Sequence, residues 1–116
     1  MIENTSFIGG EEVINFSEAL SKLLNIKHSV TVANGTDAIY IALKMLGIGE
    51  GDEVITTPFS FISTVEVIVL LGAKPVFVDI EPDGVNISPE AVKAAITPNT
   101  SAILAVHCYG IPCDHE

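Results

Sequence analysis

The chain has 116 residues, the length of one ordinary domain, and its 48% hydrophobic content supports a buried core rather than a disordered segment. Five Lys and Arg against 15 Asp and Glu leave a formal net charge of -10, which repels both a phosphodiester backbone and an anionic membrane surface, so neither nucleic acid nor membrane is an expected partner. The apolar runs VEVIVLLGA and AILAV are too short to span a bilayer, MIENT lacks the basic start and apolar core of a secretory signal, and Cys108 and Cys113 are too few for a disulfide framework, all of which predicts a cytoplasmic protein.

Val13, Phe16, Leu20 and Leu23 recur at three- and four-residue spacing, which predicts an amphipathic helix from about Gly10 to Leu24. Ser29 to Ala33 is short and β-prone and is expected to be a strand. Ala38 to Leu46 has helical spacing, with Gly47 where a left-handed residue commonly closes a helix. Glu53 to Thr57 is the next expected strand. The Val and Ile of Ser63 to Leu71 suit either state, and length with the flanking Gly72 favours a helix. Lys74-Pro75 leads into the strand VFVDI. Ser88-Pro89 then supplies an N-cap and a proline at the first helical position, ahead of the apolar stripe Val92, Ala95 and Ile96. Ser101 to His107 is the fourth expected strand. Strands apolar on both faces that alternate with helices predict an α/β fold, a parallel sheet covered on both sides. The chain has no repeat, linker or low-complexity tract.

In such sheets ligands collect where strand carboxyl ends meet helix amino ends, and Asn34-Gly35-Thr36-Asp37 occupies such a place. Gly35 permits a tight turn and a close ligand, and the free N–H groups and dipole of the following helix favour an anion such as a phosphate. Thr36 offers a hydroxyl; Asp37 either caps the helix or accepts a hydrogen bond from what the phosphate is attached to. On spacing alone, a plain turn with an N-cap explains the same four residues equally well. TTPFSFIST, at an equivalent strand-to-helix turn, carries Phe59 and Phe61; they either pack into the core or stack on a planar ring, and only one need face a ligand.

NGTDA, GIGEGDEVI, GAKPVFVDIEPD, AAITPNT and VHCYGIPCD, in that order, resemble the amino-terminal part of the DegT/DnrJ/EryC1/StrS family of sugar aminotransferases, and the resemblance covers nearly the whole chain. It implies the amino-terminal part of the large domain of a fold-type I, aspartate aminotransferase-like enzyme. The cofactor implied is pyridoxal 5'-phosphate, and the reaction moves an amino group, usually from glutamate, onto a keto sugar attached to a nucleotide. The NGTDA form is similar to that of members acting on 3-keto or 4-keto deoxysugars. By the same resemblance Gly35 and Thr36 hold the cofactor phosphate with Asp37 beside them, Phe61 stacks on the pyridine ring, and Phe7 to Gly10 lies near the sugar. His107, Tyr109 and Gly110 shape the site. Homodimers with sites at the subunit boundary are implied for the full protein.

Transamination needs a lysine to bind the cofactor covalently and shuttle the proton, and a carboxylate to keep the ring nitrogen protonated. Lys22, Lys27, Lys44, Lys74 and Lys93 do not lie in the family's Ser-Phe-His-x-x-Lys setting, and the carboxylate motif is absent, so no catalytic residue is expected in this chain. The 116 residues are therefore expected to be an inactive amino-terminal fragment of a protein about three times as long, with residues 1–28 an amino-terminal segment and helix and 29–116 an incomplete cofactor-binding large domain. A branch of the family that carries histidine in place of the lysine performs dehydration, which stays open, as does a non-catalytic module that binds a phosphorylated ligand or a partner. His107, Cys108, Cys113, Asp114 and His115 crowd together, but Cys-x4-Cys is wider than the tight pairs of common zinc sites, and no metal is expected. The acidic EGDEV and DIEPDG are expected to be solvated turns, and His28 to sit favourably beyond a helix end.

Overall fold

The structure, a computed structural model, describes residues 8–114. Phe7 and His115 lie outside the described residues. The chain divides into two compact units, Met1–Ala33 and Asn34–Glu116.

In the first unit, helix α1 spans Glu11–Leu24. Glu11 and Glu12 in its first turn and Lys22 in its last complement the helix dipole, and Asn25, at φ 51, closes it with an N–H donated to the Lys22 carbonyl. No residue of α1 is buried within the described chain, and Ile14, Phe16, Leu23 and Leu24 are exposed. The expected strand Ser29 to Ala33 is absent: these residues are irregular, and Val30 is 82% exposed. A strand is completed only by a partner, and 29–33 has none among the described residues. The Ser29 carbonyl accepts from Ser17 Oγ at 2.6 Å.

The second unit is built on three parallel strands, β1 (Glu53–Thr56), β2 (Lys74–Phe77) and β3 (Thr100–Ile103), in the order β2-β1-β3. Helices α2 (Gly35–Met45), α3 (Ser63–Leu70) and α4 (Pro89–Ala95) alternate with them. Gly47 and Gly72 follow α2 and α3 at φ 82 and 81, a conformation a side chain would oppose. Ser88 Oγ accepts from the Ala91 N–H at 3.2 Å, so the Ser-Pro signal does cap α4.

All four residues of β1 are buried, because it has a strand on each side and side chains on each face. Val54 packs with Leu43, Ile48, Val67, Ile68 and Ala73 on the α2–α3 face. Ile55 points the other way, into Val78, Ile87, Val92 and Cys113 on the α4 face. Burying such a branched side chain contributes about 1.5–3 kcal/mol, so this pair anchors both layers to one strand. The sheet is parallel and covered on both faces, as the alternating pattern requires.

The outer strands differ in extent from the apolar runs that signalled them. VFVDI predicts a strand over 76–80, but β2 starts at Lys74 and its pairing ends at Thr56↔Phe77; Ile80 instead makes an isolated antiparallel bridge to Ile87. Likewise β3 stops at Ile103, short of the expected His107, after which the Leu104 N–H still donates to the Ile55 carbonyl. The length of β1, four residues, limits how far its neighbours can pair. Pro75 is accommodated because, among the described residues, β2 is an edge strand.

At the amino end of the sheet, two acidic residues tie β1 to its neighbours. Buried Glu53 accepts from Lys74 Nζ at 2.8 Å and Thr97 Oγ1 at 2.6 Å, while Asp52 accepts from the Gly49 N–H and Ser101 Oγ. The segment leaving α2 feeds directly into this end, where the Asp52 carbonyl accepts from the Lys74 N–H. Helix α2 therefore runs against the strands, and its amino terminus lies at their carboxyl end. No helix among the described residues is long and apolar enough to cross a membrane.

Candidate functional site

The carboxyl end of the sheet collects three chain segments: the start of α2, the loop from β1 to α3, and the turn after β3. In the first, Asn34 is the N-cap of α2: its Oδ1 accepts from the Asp37 N–H at 2.9 Å and its carbonyl from the Ala38 N–H at 3.1 Å. The cap is thus Asn34 and not Asp37. Asp37 turns back, accepting from Asn34 Nδ2 at 3.0 Å. Gly35 is not at positive φ, so the turn does not require glycine. A Cβ built there would meet nothing within 4 Å, so this helix start faces open space. The N–H groups of Gly35 and Thr36 have no acceptor among the described residues. They stand with the positive end of the helix dipole, an arrangement suited to an anion.

In the second segment the chain leaves buried Thr56 and Thr57 and immediately exposes Phe59 (45%) and Phe61 (73%). The loop is held from below: the Phe59 N–H donates to Thr57 Oγ1, Ser60 Oγ lies 3.2 Å from Thr64 Oγ1, and the Phe61 carbonyl accepts from the Thr64 N–H. Phe61 is therefore not a core residue of this chain. With Pro58, Phe59, Ser60, His107 and Tyr109 it lines a cleft of about 400 Å³.

The third segment closes that cleft. Cys108–Gly110 forms a single 3-10 turn in which Tyr109 takes φ 54 and stands 85% exposed. The Cys108 Sγ–H donates to the Phe59 carbonyl at 3.4 Å, joining this turn to the loop after β1. The Cys113 N–H donates to His107 Nδ1 at 3.0 Å, and its thiol donates to the Val106 carbonyl. Burial, with Cys108 and Glu81 nearby, pushes the Cys113 thiol pKa up.

All four residues predicted from the sequence stand at this end of the sheet. Phe61 shares the cleft with His107 and Tyr109; Gly35, Thr36 and Asp37 sit at the start of α2 and do not line it. None of the five lysines lines the cleft either. Asn34 as the cap was not singled out from the sequence, although Asn before Gly-Thr is a recognisable N-cap signal. Asn86 was not singled out either; it is a buried side chain that bonds the turn after β3 at three points. No local pattern marks that residue, because its partners lie more than 20 positions away.

The model of the DegT/DnrJ/EryC1/StrS aminotransferase family matches residues 1–116. A UDP-2-acetamido-2-deoxy-3-oxo-D-glucuronate aminotransferase of Pseudomonas aeruginosa is 43% identical over 116 residues, all of this chain and 32% of that protein. A protein of Geobacillus stearothermophilus named pleiotropic regulatory protein is 46% identical over 116 residues, which make up 31% of its length. Among solved structures, NtdA from Bacillus subtilis with bound cofactor PMP matches with a TM-score of 0.90 and 38% identity, over 95% of this chain and 25% of that one. The chain spans about a third of the length of the curated relatives it matches.

Proposed function

Because the chain belongs to the DegT/DnrJ/EryC1/StrS aminotransferase family, we propose that it is the amino-terminal part of an aminotransferase that carries an amino group, from glutamate, to a keto sugar attached to a nucleotide. Pyridoxal 5'-phosphate is the cofactor of this family. It is an anion joined to a flat ring, and one observation carries the reading: the accessible N–H groups of Gly35 and Thr36 stand at the same end of the sheet as the exposed ring of Phe61. Both parts of the cofactor find a chemically suitable surface there.

On this reading the Gly35 and Thr36 amides and the Thr36 hydroxyl hold the phosphate, Asp37 fixes the cap beside it, and Phe61 lies against the ring. Bound, the cofactor supplies an electron sink for the carbon that gains or loses the amino group. Phe59, Phe61 and Tyr109 shield the ring from water. The lysine that anchors the cofactor and the carboxylate that faces its ring nitrogen then lie beyond residue 116, in a cytoplasmic homodimer. The name of the Pseudomonas aeruginosa relative makes a UDP-linked 3-keto sugar the first acceptor to try.

The test uses the full-length protein, following 2-oxoglutarate release from glutamate with that acceptor. The expected outcome is amino transfer, with borohydride fixing the cofactor to one lysine. Thr36→Val is expected to weaken pyridoxamine 5'-phosphate binding about tenfold or more, the effect of losing a hydrogen bond to a charged group. Cofactor held without a lysine link and without amino transfer would assign the protein to the dehydration branch. Failure to bind cofactor at all would leave a non-catalytic phosphate-binding or interaction module.

A further inference from the structure

The turn after β3 owes its shape to one side chain. Asn86 is 5% exposed, and its Nδ2 donates to the Ile111 carbonyl at 3.1 Å and the Pro112 carbonyl at 2.8 Å, while its Oδ1 accepts from the Cys108 N–H at 3.2 Å. The amide thus uses both kinds of group, closing the turn from both ends. Between the clamped ends, Tyr109 and Gly110 take φ 54 and 79. For tyrosine this left-handed conformation is unfavourable and persists only where the surroundings impose it. Its consequence is that Tyr109, 85% exposed, lines the same cleft as Phe59 and Phe61, to whose loop the Cys108 thiol already ties the turn.

We infer that Asn86 is a positioning residue for the ring site: by clamping residues 108–112 it holds Tyr109 as the second aromatic wall beside Phe61. This rests on the cleft being where a flat ring binds. Asn86 itself need touch neither cofactor nor sugar. Its backbone supports the same role, since the Asn86 carbonyl accepts from the Glu81 N–H and Ile87 bridges Ile80, fixing the residue to the chain that leaves β2.

The experiment is a double-mutant cycle on the full-length apoprotein, titrated with pyridoxamine 5'-phosphate, which forms no covalent link to lysine. Tyr109→Ala is expected to raise the dissociation constant about three- to tenfold, the worth of one aromatic contact. Asn86→Ala is expected to match it, and the double variant to bind no worse than either single one. Tyr109→Phe is expected to bind like wild type. If Asn86→Ala does not fold, Gly110→Ala takes its place, because a Cβ there meets nothing within 4 Å and perturbs only the φ of 79; it should weaken binding and lose that effect once Tyr109 is alanine. Independent losses from Asn86 and Tyr109, or a lowered melting temperature with binding unchanged, would overturn the positioning role alone. A Tyr109→Ala variant that binds normally would overturn this role, and a Phe61→Ala variant that also binds normally would overturn the ring site itself.

Discussion

The claim that an anion sits at the start of α2 is tested most directly by three substitutions of Asn34. Asn34→Ala removes the acceptor that the Asp37 N–H meets at 2.9 Å and the weaker, exposed contact from Nδ2 to Asp37 at 3.0 Å. Loss of such a cap costs about 1 kcal/mol, equivalent to about a fivefold shift in the opening of the first helical turn. Amide hydrogen exchange of the α2 peptide in the full-length protein should therefore quicken by about that factor, and Asn34→Ser should restore it. Asn34→Asp separates the cap from the charge. It keeps an acceptor for the Asp37 N–H but sets a second carboxylate against Asp37 where Nδ2 had donated, so exchange quickens less than in Asn34→Ala, and it places a carboxylate next to the proposed phosphate. Two unit charges 4 Å apart repel by about 1 kcal/mol in bulk water and about 4 kcal/mol at an effective dielectric of 20, so pyridoxamine 5'-phosphate should bind at least about fivefold more weakly. The penalty should shrink with added salt. Unchanged affinity in Asn34→Asp, with the helix intact by exchange, would show that no anion occupies this helix end.

Glu53 is held below the ordinary carboxylate range by its hydrogen bonds from Lys74 and Thr97. A depressed folded pKa contributes stability that is present above the unfolded value and is lost as pH falls through the folded one. Glu53→Gln should therefore lower the urea midpoint at neutral pH and flatten its decline from about pH 5 downward; an unaltered profile would refute the linkage. Cys113, buried and with its thiol pKa pushed up, should react with iodoacetamide at pH 8 far more slowly in the folded protein than in denaturant, and equal rates would contradict its burial. The isolated 116-residue chain presents Val30, Ile103 and Phe77 to solvent, and β2 and β3 are sheet edges among the described residues, so it should associate as its concentration rises. A sharp, concentration-independent melting transition from a sedimentation-defined monomer would refute that.

Helices were the part of this protein that the sequence determined alone. α1, α2, α3 and α4 appear within a few residues of their predicted limits, with Gly47, Gly72 and Ser88-Pro89 acting as stop and start signals. The reason is that a helical hydrogen bond joins residues four apart, so both partners are written side by side. The alternation of strands with helices also made the parallel, two-faced sheet legible. Tertiary structure decided the rest. VTVA and VFVDI are both β-prone, yet among the described residues only the second pairs into a sheet, and there only its first residues pair. Whether Phe61 would be core or exposed was open in the sequence, and so was the task of Asn86; each depends on residues distant in the chain. A strand pair, a cleft wall and a buried clamp need partners that local spacing does not name, and only the folded chain brings those partners within bonding distance.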